Sequence, residues 1–147
     1  MAYTTIALNA PHKTVNAVGS GAIYPGMLLE PYVGTLRIHA TSGGTVFRCI
    51  ALEDDLKGND VDDVYTTANQ IRAGWFLPGD DVVLLLASGV TVADGTLLES
   101  DGAGSVKLVS TDAPSYQELQ SIIGVAREIK TYSAATIAGR GIRVTLI

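Results

Sequence analysis

The densest local chemistry in the sequence lies between Glu53 and Asp63, where Glu53, Asp54, Asp55, Asp60, Asp62 and Asp63 crowd together. Carboxylates are hard oxygen donors, and calcium gathers roughly six to eight oxygens, so Asp60, Asp62 and Asp63 are weak candidates for an ion. Val64 falls where the EF-hand pattern needs Asp or Asn. The plainer expectation is a solvated acidic loop. Zinc asks for about four His, Cys or carboxylate ligands at close spacing, and His12, His39 and Cys49 stand at unrelated positions.

Nucleophilic catalysis needs a hydroxyl or thiol beside an oriented base, and the chain has no G-x-S-x-G elbow. His39 alternates with apolar neighbours and is expected on the solvent face of a strand. Cys49, on one strand face with Phe47 and Ala51, is expected to be packed and inert. Gly19-Ser20-Gly21-Ala22 lacks the remaining glycines of a dinucleotide fingerprint, and no Gly-Lys-Ser/Thr serves a phosphate loop. No catalytic residue and no cofactor are expected.

Composition narrows the partners. The net charge is −5 and the ten Lys and Arg form no cluster, whereas nucleic-acid binders displace counterions with grouped cations. The longest apolar run, Val82 to Ala87, falls far short of the ~20 residues that cross a bilayer. Neither nucleic acid nor membrane is therefore an expected partner. The first residues show no signal-peptide pattern, and the lone Cys49 excludes an intrachain disulfide, so folding in a reducing cytoplasm is expected. Charged residues make up 17% of the chain against a usual ~25%. That scarcity predicts apolar surface covered by other subunits.

These few groups must be carried by strands. The 147 residues suit one domain, and sixteen glycines punctuate short runs of Val, Ile, Leu and Thr. That is the signature of an all-β chain, a compact barrel or sandwich with one or two short helices. Leu36, Ile38 and Ala40 alternate with Arg37 and His39, and with Val46 to Glu53 they predict a hairpin across Thr41–Thr45. Val82 to Ala87 reads as a strand buried on both faces. Val106 with Leu108, and Ile142, Val144 and Leu146, read as alternating strands. Short helices are expected at Asp112–Ser121, where Ser115 and Glu118 form a capping box, and at Thr67–Ala73. Residues 1–22 read as an extended arm or a first strand, ahead of a barrel-like domain over 23–147. Tyr3, Ile6 and Leu8 in that segment, and the adjacent pair Trp75 and Phe76, are the candidate interface residues.

The sequence also repeats itself. Ile23-Tyr24-Pro25-Gly26-Met27-Leu28-Leu29-Glu30 aligns with Val92-Ala93-Asp94-Gly95-Thr96-Leu97-Leu98-Glu99. Gly34 to Ile38 then aligns with Gly104 to Leu108, and Ile50-Ala51-Leu52-Glu53 with Val125-Ala126-Arg127-Glu128. The order is kept, with extra residues before the last block of the second copy. A strand–turn–strand unit used twice in one domain is the expectation.

Two family resemblances follow from these motifs. Gly58 to Tyr65 resembles the uridine-pocket motif of trimeric deoxyuridine triphosphatases, small all-β nucleotide hydrolases. Their Arg-Ser-Gly phosphate motif and C-terminal arm are absent, Gly139-Arg140-Gly141 being the nearest approach. A longer series resembles the capsid decoration, or cement, proteins of tailed bacteriophages. It comprises Pro25-Gly26-x-Leu28-Leu29, Ile50 to Glu53, Gly58 to Tyr65, Pro78-Gly79-Asp80, Asp94-Gly95-x-Leu97 and Gly124-Val125-Ala126. The resemblance implies β-barrel-like subunits, commonly homotrimers, on the virion surface, bridging neighbouring major capsid proteins. It carries over no catalytic residue. A tail or baseplate component shares the same composition and is the alternative expectation.

Overall fold

The structure is a computed structural model in which residues 3–66, 70–110, 120–134 and 136–147 are described. The chain is mainly β. In order it forms β1 (Lys13–Ser20), β2 (Leu29–Tyr32), β3 (Thr35–Ile38), β4 (Cys49–Ala51), β5 (Gln70–Trp75) and β6 (Asp81–Leu85). Then follow β7 (Thr91–Val92), β8 (Leu97–Ser100), β9 (Val106–Leu108), β10 (Ile122–Ala126), β11 (Lys130–Thr131) and β12 (Gly141–Leu146). A 3₁₀ turn spans Asp55–Lys57, and the short helix α1 spans Ile137–Arg140. No helix among the described residues is long and apolar enough to cross a membrane.

The strands make two five-stranded sheets in the orders β2-β3-β1-β5-β4 and β6-β12-β10-β8-β9, beside a small β7–β11 pair. Neither sheet closes into a barrel, and the whole is sandwich-like. Period-two patterning explains the strands. In β12, Ile142, Val144 and Leu146 are buried, while Arg143 is exposed. β6 is buried on both faces from Val82 to Leu85, as its unbroken apolar run predicts.

Two cores result. The smaller holds Leu29, Leu36, Cys49, Ala51, Ile71 and Ala73 inside the first sheet. The larger collects Val82, Leu84, Leu98, Val106, Ile142 and Val144 from the second sheet, and also Leu28, Ile50, Leu52 and Phe76 from the first. Successive residues of the β4 region therefore enter different cores: Cys49 and Ala51 the smaller, Ile50 and Leu52 the larger. The first sheet is wetted on neither side there. That is why its hydrophobic pattern is continuous instead of alternating.

Two local expectations need correction. Leu36 to Ala40 does not form a hairpin with Val46 to Glu53. β3 pairs instead with β2 in antiparallel register, Glu30 opposite Arg37, and with β1 in parallel, while β4 pairs with β5. The tight turn at Val33-Gly34, both at positive φ, brings β3 back onto β2 before the Thr41–Thr45 loop begins. The helix expected at Thr67–Ala73 is overturned from Gln70 on, where β5 runs as a strand between β1 and β4; long-range pairing outweighs a weak local propensity. Of the Asp112–Ser121 helix, residues 112–119 lie outside the described residues.

The repeat is written in the hydrogen bonds. Gly26 N donates to Ala51 O and Ala51 N to Met27 O; at the aligned positions Gly95 N donates to Ala126 O and Ala126 N to Thr96 O. Met27 N→Tyr24 O matches Thr96 N→Ala93 O, and His39 N→Leu28 O matches Val109 N→Leu97 O. Leu52 N→Arg72 O matches Arg127 N→Arg143 O, which equates β5 with β12. Glu30 faces Arg37 across β2–β3 just as Glu99 faces Lys107 across β8–β9. The parallel contact Gly19–Leu36 recurs as the bridge Leu86–Val106, which equates β1 with the strand that starts at Asp81.

Gly26 and Gly95 hold the matching turns at φ of 87° and 86°, a left-handed conformation that costs an L-residue about 1–2 kcal/mol. Their surroundings differ. A Cβ on Gly26 would lie 3.3 Å from the Leu85 side chain and from Val83 O, whereas one on Gly95 meets nothing within 4 Å. Gly95→Ala should cost only the backbone strain in urea denaturation, and Gly26→Ala about 1 kcal/mol more. Equal losses would mean that the contact between the halves at Leu85 is slack.

Candidate functional site

Polar groups inside the fold gather where the two halves meet. His39 is 1% exposed, not on the solvent face that its alternation predicted. Its Nδ1 lies 2.7 Å from Ser100 Oγ, its Nε2 2.8 Å from Thr45 O, and Nε2 is 3.8 Å from a Glu30 oxygen. The second sheet supplies the cover that no local pattern can show. Beside it, Glu99 is 3% exposed and receives Lys107 Nζ at 3.5 Å and Ser121 Oγ at 3.4 Å. Gly43 N donates to Ser100 O, and Lys107 Nζ reaches Ser42 Oγ at 2.7 Å. Each buried group has a partner, so this cluster is a polar seam between halves. The hydroxyl beside His39 is that of Ser100, whose Oγ also accepts from Gly102 N at 3.1 Å.

A second polar group pins the N-terminal segment. Ile6 is fully buried; its N donates to Glu53 at 3.1 Å and its O accepts from Val83 N at 2.8 Å. Thr5 Oγ1 donates to Glu53 and Tyr3 OH to Glu128, each at 2.5 Å. Glu53 and Glu128 are aligned residues of the repeat, so the segment runs across matching acceptors on both halves. Burial, then the bond to Glu128, raises the Tyr3 phenol well above its usual value. Nearby, Asp81 accepts from Thr145 Oγ1 and Arg143 Nη2 at 2.5 Å and from Arg143 Nε at 3.2 Å. The Thr145 bond, and then the Arg143 bond, hold the Asp81 carboxyl below its ordinary range.

The structure separates the remaining candidates. Residues 13–20 form β1 between β3 and β5, while Leu8 is exposed on the segment before it. Phe76 is 4% exposed and belongs to the larger core. Trp75 is half-buried and meets Phe47 edge to face at 6.4 Å between ring centres. Ile6 and Phe76 thus face inward, into the larger core. In the acidic loop, Asp62 N donates to Asp60 Oδ1 at 2.9 Å and Asp60 N to Asp63 Oδ2 at 2.8 Å. Asp62 Oδ1 also accepts from Ile137 N at 2.9 Å, tying the loop to α1. These carboxylates satisfy backbone donors, and among the described residues no three His, Cys, Asp or Glu side chains converge as metal ligands. Cys49 is fully buried, and burial pushes its thiol up to about 12.

Several apolar side chains also face outward. Val18, Tyr32 and Val33 are exposed on the first half, and Leu97 and Leu108 on the second. Sequence reasoning missed these residues, because aligned positions of the repeat such as Leu28 and Leu97 differ in burial only once the halves are packed.

No protein-family profile and no curated protein matches the chain. Among solved structures it is similar to the crystal structure of the head fiber gp8.5 N base in bacteriophage phi29. The TM-score is 0.55 with 14% sequence identity, over 92% of this chain and 93% of that one. The two share a fold along nearly their whole lengths.

A thiol reagent such as Ellman's should leave Cys49 unlabelled in native buffer and label it stoichiometrically in denaturant; native labelling at the unfolded rate would contradict its packing. Asp81 stabilises the fold while ionised, so its contribution is complete above 3.8, the unfolded value, and fades as pH falls through the lower folded value. Asp81→Asn should therefore lose about 1–3 kcal/mol at neutral pH, and the gap between the two proteins should narrow in acid denaturation below that point.

Proposed function

We propose that this chain is a non-enzymatic structural protein of a tailed-phage head. In this reading it decorates the outer capsid, works as a homotrimer and ties neighbouring major capsid proteins together. The observation that carries the proposal is the shared fold with a head-fiber base over almost all of both chains. The series of decoration-protein motifs from Pro25 to Ala126 supports the same reading independently of that match. So does the use the fold makes of its functional groups: His39, Glu99, Glu53, Glu128 and Asp62 are all engaged in holding backbone and side chains together.

A scaffold under load needs such seams more than it needs a cavity. Internal pressure acts on contacts between capsid subunits, and a rigid β domain seated across them raises the cost of separation.

The test is binding to purified phage heads that lack the protein, followed by electron microscopy. Added protein should saturate discrete sites on the outer shell and should raise the temperature at which heads release DNA. Density on tails only would replace this reading with a tail or baseplate role. Pyrophosphate release from deoxyuridine triphosphate by the purified protein would show it to be an enzyme.

A further inference from the structure

The two halves of the chain meet head to tail, and each leaves half of that contact open. The outward face of the first half presents Leu28, Ile50 and Leu52, which are 0%, 0% and 4% exposed because the second half lies on them. The covering surface is β6 and the β8–β9 turn: Leu85 N donates to Gly26 O, and Leu28 N donates to Gly104 O at 2.8 Å. A Cβ on Gly104 would lie within 3.3 Å of Ile38 and Met27. The contact is close.

The repeat maps both surfaces onto the other half. Leu28, Ile50 and Leu52 correspond to Leu97, Val125 and Arg127; Leu97 is 41% exposed, Val125 half-buried and Arg127 exposed. On the covering side, Val83 faces Arg143 and Leu85 faces Gly141 in β12, as Asn16 faces Arg72 and Val18 faces Gln70 in β5. Val83 and Leu85 therefore correspond to Asn16 and Val18, and Gly104 to Gly34. Val18 is 42% exposed and Val33, beside Gly34, is 87% exposed. One molecule thus displays both partners of a contact it already makes once internally.

We infer that a second copy of this chain is the occupant: the Leu97–Val125 face of one molecule seats on the Val18–Val33 surface of the next. This rests on the proposed oligomeric role and names the surface that would build it. A contact between unlike patches is heterologous, so it closes into a ring when its rotation allows. Asn16 and Arg127 replace the apolar Val83 and Leu52 of the internal contact. The open version is accordingly more polar, which suits a surface that must stay soluble before assembly.

Sedimentation analysis of the full chain tests this. The unmodified protein should run as a closed oligomer, and Leu97→Arg and Val18→Glu should each reduce it to smaller species. With Val18→Arg in place of Val18→Glu, so that like charges meet at the spoiled contact, an equal mixture with Leu97→Arg keeps one intact contact and should form a two-chain particle and nothing larger. Leu97→Ala, a milder change, should weaken association about tenfold, the effect of ~1.4 kcal/mol. A single-chain mass for the unmodified protein overturns the inference. So does an unchanged oligomer in Leu97→Arg, or a lowered melting temperature with mass unaltered, which would mean that the face is covered within its own chain. Loss of head binding with mass intact would assign the face to the capsid and overturn it equally. An oligomer built on this face that ignores phage heads would leave the contact standing and remove the proposed function instead.

Discussion

Leu28, Ile50, Leu52 and Phe76 lie on the outside of the first sheet, and they are dry only because the second sheet covers them. Each such side chain contributes about 1.5–3 kcal/mol when fully buried. Together they match a large share of the roughly 5–15 kcal/mol that separates a folded domain from its unfolded chain. The two halves are therefore one cooperative unit. The seam of His39, Ser100, Glu99 and Lys107 runs along the rim of this contact, where burial demands a partner for every polar atom.

Duplication supplied the frame and substitution made the halves unlike. The backbone bonds around Gly26 and Ala51 recur atom for atom around Gly95 and Ala126. Side chains at matching positions have diverged according to what covers them: Leu52 is buried in the larger core, and its counterpart Arg127 faces water. Where both copies kept the same residue, the shared task is visible. Glu53 and Glu128 each anchor the N-terminal segment.

The charged residues serve the same end. Asp62 holds the first turn of α1, Asp81 gathers Thr145 and Arg143, and Asp60 and Asp63 close a turn on backbone donors. Acidic chemistry that resembled an ion site in the sequence is spent on local geometry. A carboxylate that accepts backbone N–H groups at short range has fewer lone pairs to offer a cation.

By itself the sequence determined the β class, the strands with clean alternation or a continuous apolar run, and the repeat around Gly26 and Gly95. Each of these is local, because period two and left-handed turns are imposed on residues by their immediate neighbours. Tertiary structure decided the rest. His39 became buried because a distant Ser100 covers it, Gln70–Trp75 became a strand because β1 and β4 flank it, and β3 turned back on β2 instead of waiting for the Val46–Glu53 segment. It also decided which copy of the repeated face was closed. Leu28 and Leu97 are the same residue in the same local context, and no neighbour in sequence distinguishes them. Only the direction in which one half packs on the other buries the first and leaves the second open.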